Sequence, residues 1–119
     1  MSEVTIWHNP KCSKSRATLS LLESHGLDPK IVEYLKTPPS ASELASVLKK
    51  LHMKPRQLMR KSEAVYKELN LDDDALSDDK LIEAMVQYPA LIERPIVLYA
   101  ARAAIGRPPE NVLDLFTGL

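Results

Sequence analysis

The fold of this chain is indicated most clearly by its residues Val4-Thr5-Ile6-Trp7-His8-Asn9-Pro10-Lys11-Cys12-Ser13. Its first five residues are rich in β-branched side chains and predict a strand. A helix-like pattern opens at Ser13, directly after Cys12, which is the single cysteine of the chain. The first N–H groups of a helix point at the preceding side chain, and the positive end of the helix dipole favours a thiolate. Cys12 is therefore a candidate nucleophile.

The alternative for Cys12 is a buried, inert cysteine that acts as a small hydrophobic residue. The residues around it favour the nucleophile because they are polar or cationic: Lys11, Ser13, Lys14, Ser15 and Arg16. His8, four residues before Cys12, has two interpretations that spacing leaves open. In the first, His8 hydrogen-bonds or pairs with the thiolate and lowers its pKa, and in the second it is a partly exposed histidine at a strand end.

Composition restricts the class of protein. A chain of 119 residues with 45% hydrophobic content predicts a single domain spanning residues 1–119. Sixteen basic and sixteen acidic residues cancel, so there is no overall field to hold nucleic acid or an anionic membrane. A single cysteine cannot form an internal disulfide, and no apolar stretch approaches spanning length. We expect a soluble cytoplasmic protein, a monomer, without nucleic-acid or membrane partners.

The N-terminal part of the chain reads as β-α-β. The helix is expected from Ser13 to about His25, with Gly26 suited to a left-handed helix end. A second strand is predicted over Ile31 to Leu35, from its β-branched and aromatic content. This order favours a parallel pair of strands with a right-handed crossover.

The middle third reads as helical. Ser40 and Glu43 form a Ser-x-x-Glu capping box ahead of apolar residues at helical spacing, Leu44, Val47, Leu48 and Leu51. Further helices are predicted from Pro55, over 62–69 and over 77–87, with Ser77 as an N-cap. The acidic run at 72–74 lacks the ligand spacing and glycine of a calcium loop and indicates a solvated turn.

The C-terminal part returns to strands. Ile96 to Tyr99 is one predicted strand and Ala103 to Gly106 a second, although the turn between them lacks an Asn-Gly or Asp-Gly pair. A last helix is expected from Glu110 to about Phe116. The whole order predicts an α/β, thioredoxin-like fold. Its mixed four-stranded sheet carries a helical insertion, at about 40–90, between the N-terminal βαβ and C-terminal ββα units.

Three arginines stand at element boundaries and are candidate anion ligands. Arg60 ends the short helix from Pro55, and Arg94 and Arg107 each precede a proline. The backbone before a proline is restricted, so the last two arginines project from stiff chain. A guanidinium is always charged and offers forked donors to an oxyanion. The alternative for each is a surface salt bridge.

Three motifs that are absent from the sequence restrict the expected chemistry. The Cys-x-x-Cys redox motif is here Cys12-Ser13-Lys14-Ser15, so an outside thiol must resolve any covalent intermediate. A phosphatase-type loop would need arginine six places after the cysteine, where this chain has Thr18. His25 and His52 offer no zinc-ligand spacing with Cys12, so we expect no metal site.

Four separated motifs carry a resemblance to a known family: 8–16 (HNPKCSKSR), 58–60 (LMR), 93–97 (ERPIV) and 106–110 (GRPPE). In this order and spacing the chain resembles the glutathione- and glutaredoxin-coupled arsenate reductase (ArsC) family, especially its short YfgD-like branch. The resemblance implies a thioredoxin-like fold with Cys12 as nucleophile and Arg60, Arg94 and Arg107 as oxyanion ligands. It also implies that His8 tunes the thiolate, that Ser15 hydrogen-bonds it, and that Pro95 is a cis proline.

The resemblance further implies the reaction. Cys12 attacks arsenate with loss of water, glutathione attacks the adduct, glutaredoxin reduces the mixed disulfide, and arsenite leaves, with no bound cofactor and glutathione as co-substrate. Two other functions stay open. One is a monothiol glutathione-dependent oxidoreductase whose arginines bind glutathione carboxylates. The other is an Spx-like regulatory module that binds RNA polymerase, from whose usual Cys-x-x-Cys switch Ser15 departs.

Overall fold

The computed structural model describes residues 3–116. Its strands are β1 (Val4–Trp7), β2 (Lys30–Val32), β3 (Ile96–Tyr99) and β4 (Arg102–Ile105). Its α-helices are α1 (Ser13–Ser24), α2 (Ala41–Leu51), α3 (Pro55–Leu58), α4 (Ala64–Glu68) and α5 (Asp78–Gln87). Two 3₁₀ segments cover Pro89–Leu91 and Pro109–Phe116. The described residues fall into two compact units, up to Thr37 with those from Arg94 onward, and Pro38–Glu93.

The first unit contains a mixed four-stranded sheet in the order β2-β1-β3-β4. β1 pairs with β2 in parallel, while β1 with β3 and β3 with β4 are antiparallel. The register places Trp7 opposite Ile96 and Ile96 opposite Ile105. One end of the sheet therefore contains the end of β1, the start of β3 and the end of β4. The predicted α/β class and mixed four-stranded sheet are confirmed.

The core of this unit lies where α1 and the C-terminal segment cover the sheet. Six side chains there are buried together: Val4, Ile6, Leu22, Val97, Val112 and Leu115. The alternation of Val4 and Ile6 along β1 puts both on one face of the sheet, as the two-residue period of a strand requires. Leu22 makes this contact from the C-terminal half of α1, so this helix packs against the same sheet.

Two boundaries in this unit differ from the prediction. β2 ends at Val32, whose carbonyl accepts the N–H of His8, and the chain then turns at Glu33 instead of continuing to Leu35. The last segment is a 3₁₀ helix and not an α-helix, its bonds running from residue i+3 to i, as from Asn111 N–H to the carbonyl of Pro108.

The β3–β4 turn is tighter than predicted. Tyr99 faces Arg102 across the ladder, so β4 begins one residue earlier than expected and the loop contains two residues. Ala100 has a φ of 55°, a left-handed conformation that hairpin loops normally assign to glycine or asparagine. The missing Asn-Gly signal therefore reflects an alanine in a position where it is rare.

The second unit is helical, as the sequence predicts for this segment, and its best-specified element is α2. The Ser40 hydroxyl accepts the N–H of Glu43, and the Glu43 carboxylate accepts the N–H of Ser40. The predicted capping box is thus confirmed. Ser77 caps α5 in the same way by accepting the N–H of Lys80. α4 is shorter than the helix predicted over 62–69. That residues 1–119 form a single domain stays a prediction.

The capping box gives a stability prediction. Replacing Ser40 by Ala leaves the N–H of Glu43 without its acceptor, and should lower the free energy of unfolding by about 1 kcal/mol. Urea titration followed by far-UV circular dichroism measures the change. The matched control is Ser46→Ala in the interior of α2, which should be neutral or slightly stabilising because alanine has the higher helix propensity. Equal losses in both variants would contradict the capping role.

Candidate active site

Cys12 is the residue that caps the N-terminus of α1. Its backbone is extended, with φ −96° and ψ 124°. A tight turn presents it, in which the N–H of Cys12 donates to the carbonyl of Asn9 and the N–H of Lys11 donates to Asn9 Oδ1, both at 3.0 Å. The first turn of the helix closes where the N–H of Arg16 bonds the carbonyl of Cys12. The loop and helix start together hold the sulfur at the positive end of α1.

The Cys12 thiol has a lowered pKa, although the residue is only 9% exposed. Burial by itself raises the pKa of this thiol, because it penalises the charged form. The backbone N–H of Ser15, the guanidinium of Arg94 and the N–H of Lys14 outweigh burial and bring the pKa below its ordinary value. Cys12 stands at the N-cap of α1, so the positive end of the helix dipole also favours the thiolate.

Two arginines from the far end of the chain surround this sulfur. Arg107 Nη2 lies 3.6 Å from Cys12 Sγ, across a separation of 95 residues. Arg107 Nε donates at 2.7 Å to the backbone carbonyl of Arg94, whose own guanidinium also hydrogen-bonds the Cys12 sulfur. The Arg94–Pro95 peptide bond is cis, as the resemblance implies, and so is the Arg107–Pro108 bond, for which the sequence gives no signal. The first unit thus brings Cys12, Arg94 and Arg107 together.

The source of the positive charge differs from the one suggested by sequence. Lys11 and Lys14, next to the cysteine, are exposed, and Arg16 Nη1 donates to the carbonyl of Pro10. The guanidinium groups of Arg94 and Arg107 contact the sulfur instead. Neighbours in sequence point away from Cys12 because a helix start fans successive side chains around its axis.

His8 forms its contact with Ser15. His8 Nδ1 lies 2.6 Å from the Ser15 hydroxyl, which also accepts the N–H of Asn9 at 3.0 Å. His8 is 6% exposed, so the interpretation as a partly exposed strand-end residue is wrong. Burial lowers the pKa of His8, Glu33 partly opposes this, and Arg16 adds to it. The lowered pKa favours the neutral imidazole over the imidazolium that an ion pair with the thiolate would need.

Ser15 acts on the sulfur through its backbone. Its hydroxyl bonds His8 and Asn9, while its N–H lowers the pKa of the Cys12 thiol. This serine is fully buried, so the hydroxyl fixes the first turn of α1 against the end of β1. The roles that the resemblance assigns to His8 and Ser15 stay predictions. The geometry describes them as one buried polar network beneath the helix start.

Arg60 belongs to the second unit, where two carboxylates hold it. Arg60 Nη1 bonds Glu93 Oε1 at 2.6 Å, and Arg60 Nε lies 3.5 Å from Glu63 Oε2. Its backbone N–H donates to the carbonyl of Leu91 at 2.7 Å. Burial lowers the pKa of Arg60, but Glu93 and, to a smaller extent, Glu63 raise it by more than burial lowers it. The guanidinium therefore stays charged. Its predicted part in oxyanion binding stays a prediction.

The described residues contain neither a metal cluster nor a membrane-spanning helix. Within 3–116, no group of three or more His, Cys, Asp or Glu side chains is placed to hold a metal ion. No helix in the same range has the length and apolar character to cross a membrane.

Comparison with known proteins identifies the family. Residues 7–115 match the model of the ArsC family, and this match spans most of the chain. The chain belongs to the ArsC family. The match covers Cys12, Arg60, Arg94 and Arg107 together.

Individual ArsC relatives cover nearly the whole chain. The uncharacterized protein YfgD of Escherichia coli K12 is 54% identical over 114 residues, covering 95% of this chain and 96% of that protein. An arsenate reductase of Neisseria meningitidis is 51% identical over 113 residues, covering 94% and 97%. The solved structure of an arsenate reductase from Vibrio cholerae has a TM-score of 0.93 at 53% identity, covering 95% and 97%. The thioredoxin-like ArsC fold predicted from sequence is confirmed.

The lowered pKa of Cys12 predicts early alkylation. The rate of reaction with iodoacetamide should rise with a midpoint below the free-cysteine pKa of about 8.5, because the thiolate is the reacting form. Replacing Arg94 by Ala should move the midpoint upward, since it removes a guanidinium that stabilises the thiolate. Arg102→Ala, which removes an arginine that bonds the carbonyls of Asp114 and Leu115, is the control. A wild-type midpoint at or above about 8.5 would exclude a stabilised thiolate.

The His8–Ser15 contact gives a second prediction. The His8 ring should titrate with a midpoint below about 6.5, because burial opposes its protonation. Proton or carbon NMR of the histidine rings between about pH 5 and 8, the range in which histidine changes charge, measures this midpoint, and His8→Gln assigns the resonance. A midpoint above about 6.5 would mean that His8 is an imidazolium that pairs with the thiolate, and would contradict the neutral ring bonded to Ser15.

Proposed function

We propose that this protein is an arsenate reductase in which Cys12 is the nucleophile and glutathione is the co-substrate. The observation that carries the proposal is the Cys12 sulfur, whose pKa is lowered and which lies 3.6 Å from the guanidinium of Arg107. ArsC relatives named arsenate reductase that are 51% identical over nearly the full length support it. An ionised sulfur beside guanidinium groups is suited to attack an electrophile that is itself an anion.

The first half of the reaction forms a sulfur–arsenic bond. The Cys12 thiolate attacks the arsenic of arsenate, the bond from arsenic to one of its hydroxyl groups breaks, and this hydroxyl takes up one proton from solvent and leaves as water. The amides at the start of α1 stabilise the thiolate before attack. Arg94 and Arg107 stabilise the oxygens of the adduct, because their charge persists when the sulfur has become neutral.

The second half needs an outside thiol, because Cys12 is the single cysteine of the chain. A glutathione thiolate attacks the Cys12 sulfur, the sulfur–arsenic bond breaks, and its electron pair reduces arsenic from the pentavalent to the trivalent state. Arsenite leaves, and Cys12 stays in a mixed disulfide with glutathione. A glutaredoxin thiol then attacks the glutathione sulfur and releases the Cys12 thiolate. We place this cycle in the cytoplasm, with the protein as a monomer.

Arg60 is the third proposed oxyanion ligand. Its guanidinium is charged, and its pairing with Glu93 and Glu63 holds it in one orientation. Because Arg60 bonds Glu93 through Nη1 and approaches Glu63 through Nε, its Nη2 is the donor that we assign to the oxyanion. We propose that the two carboxylates orient this side chain, as bidentate partners do at other anion sites.

The test is arsenate-dependent NADPH oxidation, coupled through glutathione, glutaredoxin and glutathione reductase. Cys12→Ser should abolish the arsenate-dependent rate. Alanine at Arg60, Arg94 or Arg107 should each lower kcat/KM for arsenate by about 10- to 100-fold, the effect of losing one charge-assisted hydrogen bond. The matched controls are Arg56→Ala in the second unit and Arg102→Ala in the first. Both arginines bond backbone carbonyls and should tolerate replacement.

The same assay separates the other functions. A rate with arsenate equal to the blank, together with Cys12-dependent reduction of a glutathione mixed disulfide, would favour the monothiol oxidoreductase. Absence of both activities, together with retention of RNA polymerase in a pull-down, would favour the regulatory module. Either result would overturn the arsenate reductase proposal.

A further inference from the structure

Gly106, the residue before Arg107, packs against α1 so closely that it has no room for a side chain. A Cβ atom at Gly106 would collide with Oγ1 of Thr18 and would lie 2.8 Å from Cγ of Pro95 and 3.0 Å from Cγ2 of Thr18. The backbone of Gly106 is not in the left-handed region, so glycine is needed here for space and not for conformation.

Both groups that face Gly106 are rigid. Thr18 is fully buried, and its hydroxyl donates to the carbonyl of Lys14 at 2.8 Å and lies 3.5 Å from the carbonyl of Gly106. A β-branched side chain in a helix has few rotamers, so Thr18 cannot swing aside at low cost. Pro95 is a closed ring, and its carbonyl accepts the N–H of Gly106 at 3.0 Å. The loop is thus held at a short, defined distance from α1.

This distance matters because the next residue contacts the reactive sulfur. Arg107 reaches Cys12 with Nη2 and Arg94 with Nε, both in the first unit. Thr18 lies on the helix that Cys12 begins, so the Gly106–Thr18 contact fixes Arg107 relative to the same helix that carries the sulfur. We propose that Gly106 and Thr18 are positioning residues that hold the Arg107 guanidinium next to the Cys12 sulfur.

This inference deepens the proposed function, since it names what positions one of the proposed arsenate ligands. Its test needs no arsenate. Failure of the inference and failure of the arsenate reductase proposal are therefore separate results.

The decisive variant is Gly106→Ala, and the readout is the pH dependence of Cys12 alkylation by iodoacetamide. The added methyl group forces the loop away from Thr18 and carries Arg107 away from the sulfur. We expect the alkylation midpoint to move upward by roughly half to one pH unit, which lowers the thiolate fraction below the midpoint about three- to tenfold. An unchanged midpoint in a folded Gly106→Ala variant would overturn the inference.

A double-mutant cycle tests whether the effect passes through Arg107. Arg107→Ala alone should raise the midpoint, and adding Gly106→Ala to it should cause little further change, because the group being positioned is already absent. Additive shifts would mean that Gly106 acts on the sulfur by another route and would contradict the positioning role.

Two further variants separate fit from general damage. Gly26, just after α1, has a φ of 78°, and a Cβ placed there would meet nothing within 4 Å, so Gly26→Ala strains the backbone without crowding. It should lower stability and leave the alkylation midpoint unchanged, and a shift equal to that of Gly106→Ala would count against the inference. Thr18→Ala combined with Gly106→Ala removes two of the three close contacts of the methyl group and leaves that with Pro95 Cγ, so the midpoint should return part of the way toward wild type.

The inference stays testable if Gly106→Ala does not fold, as judged by far-UV circular dichroism. Thr18→Ala alone then decides it, because removing the side chain that abuts Gly106 loosens the loop that carries Arg107 while leaving the Arg107 side chain itself unchanged. We expect a smaller upward shift of the alkylation midpoint, to be compared with Gly26→Ala at equal loss of stability. No shift relative to that control would contradict the proposal.

Discussion

The candidate site depends on one interaction, that of the Cys12 sulfur with two guanidinium groups: Arg94 lowers the pKa of the thiol, and Arg107 lies 3.6 Å from the sulfur. Burial opposes ionisation of this thiol, so a thiolate persists only where nearby groups compensate for lost solvation. The amides at the start of α1 supply the equivalent of about half a positive charge. The guanidinium of Arg94 supplies a full positive charge and lowers the pKa of the thiol, and the guanidinium of Arg107 lies 3.6 Å from the sulfur. The reactivity of a residue near the N-terminus is thereby set by residues near the C-terminus.

The sheet register makes this contact possible. β1 runs toward the Cys12 loop, β3 starts directly after Arg94–Pro95, and the two strands are antiparallel with Trp7 opposite Ile96. The β3–β4 hairpin then returns the chain to the same end of the sheet, where Arg107 lies two residues after the end of β4. A slip of one residue between two strands would turn every side chain of the slipped strand to the opposite face. Three segments distant in sequence therefore meet because a few strand pairs are in register.

Sequence reasoning predicts what local chemistry determines and cannot rank contacts that topology determines. The capping box at Ser40 and the helix start after Cys12 follow from neighbouring residues, and both are observed. Adjacent lysines suggest a cationic setting for the sulfur, whereas its cationic partners come from residues about 80 to 95 positions away. Spacing places His8 near the thiolate, but the Ser15 hydroxyl, in the first turn of α1, provides its partner. The spacing of these residues along the chain does not determine whether the imidazole of His8 contacts Cys12 or Ser15.

The difference between a histidine and an arginine at this sulfur has a chemical consequence. An imidazolium would lose its charge near neutral pH, and the site would then become less favourable to anions over the same range in which the thiol ionises. A guanidinium keeps its charge throughout that range. Thiolate and bound oxyanion, both negative, can then coexist because the charge that balances them does not titrate. The pKa of His8 is lowered, which favours the neutral imidazole, and its contact with Ser15 ties the end of β1 to the first turn of α1.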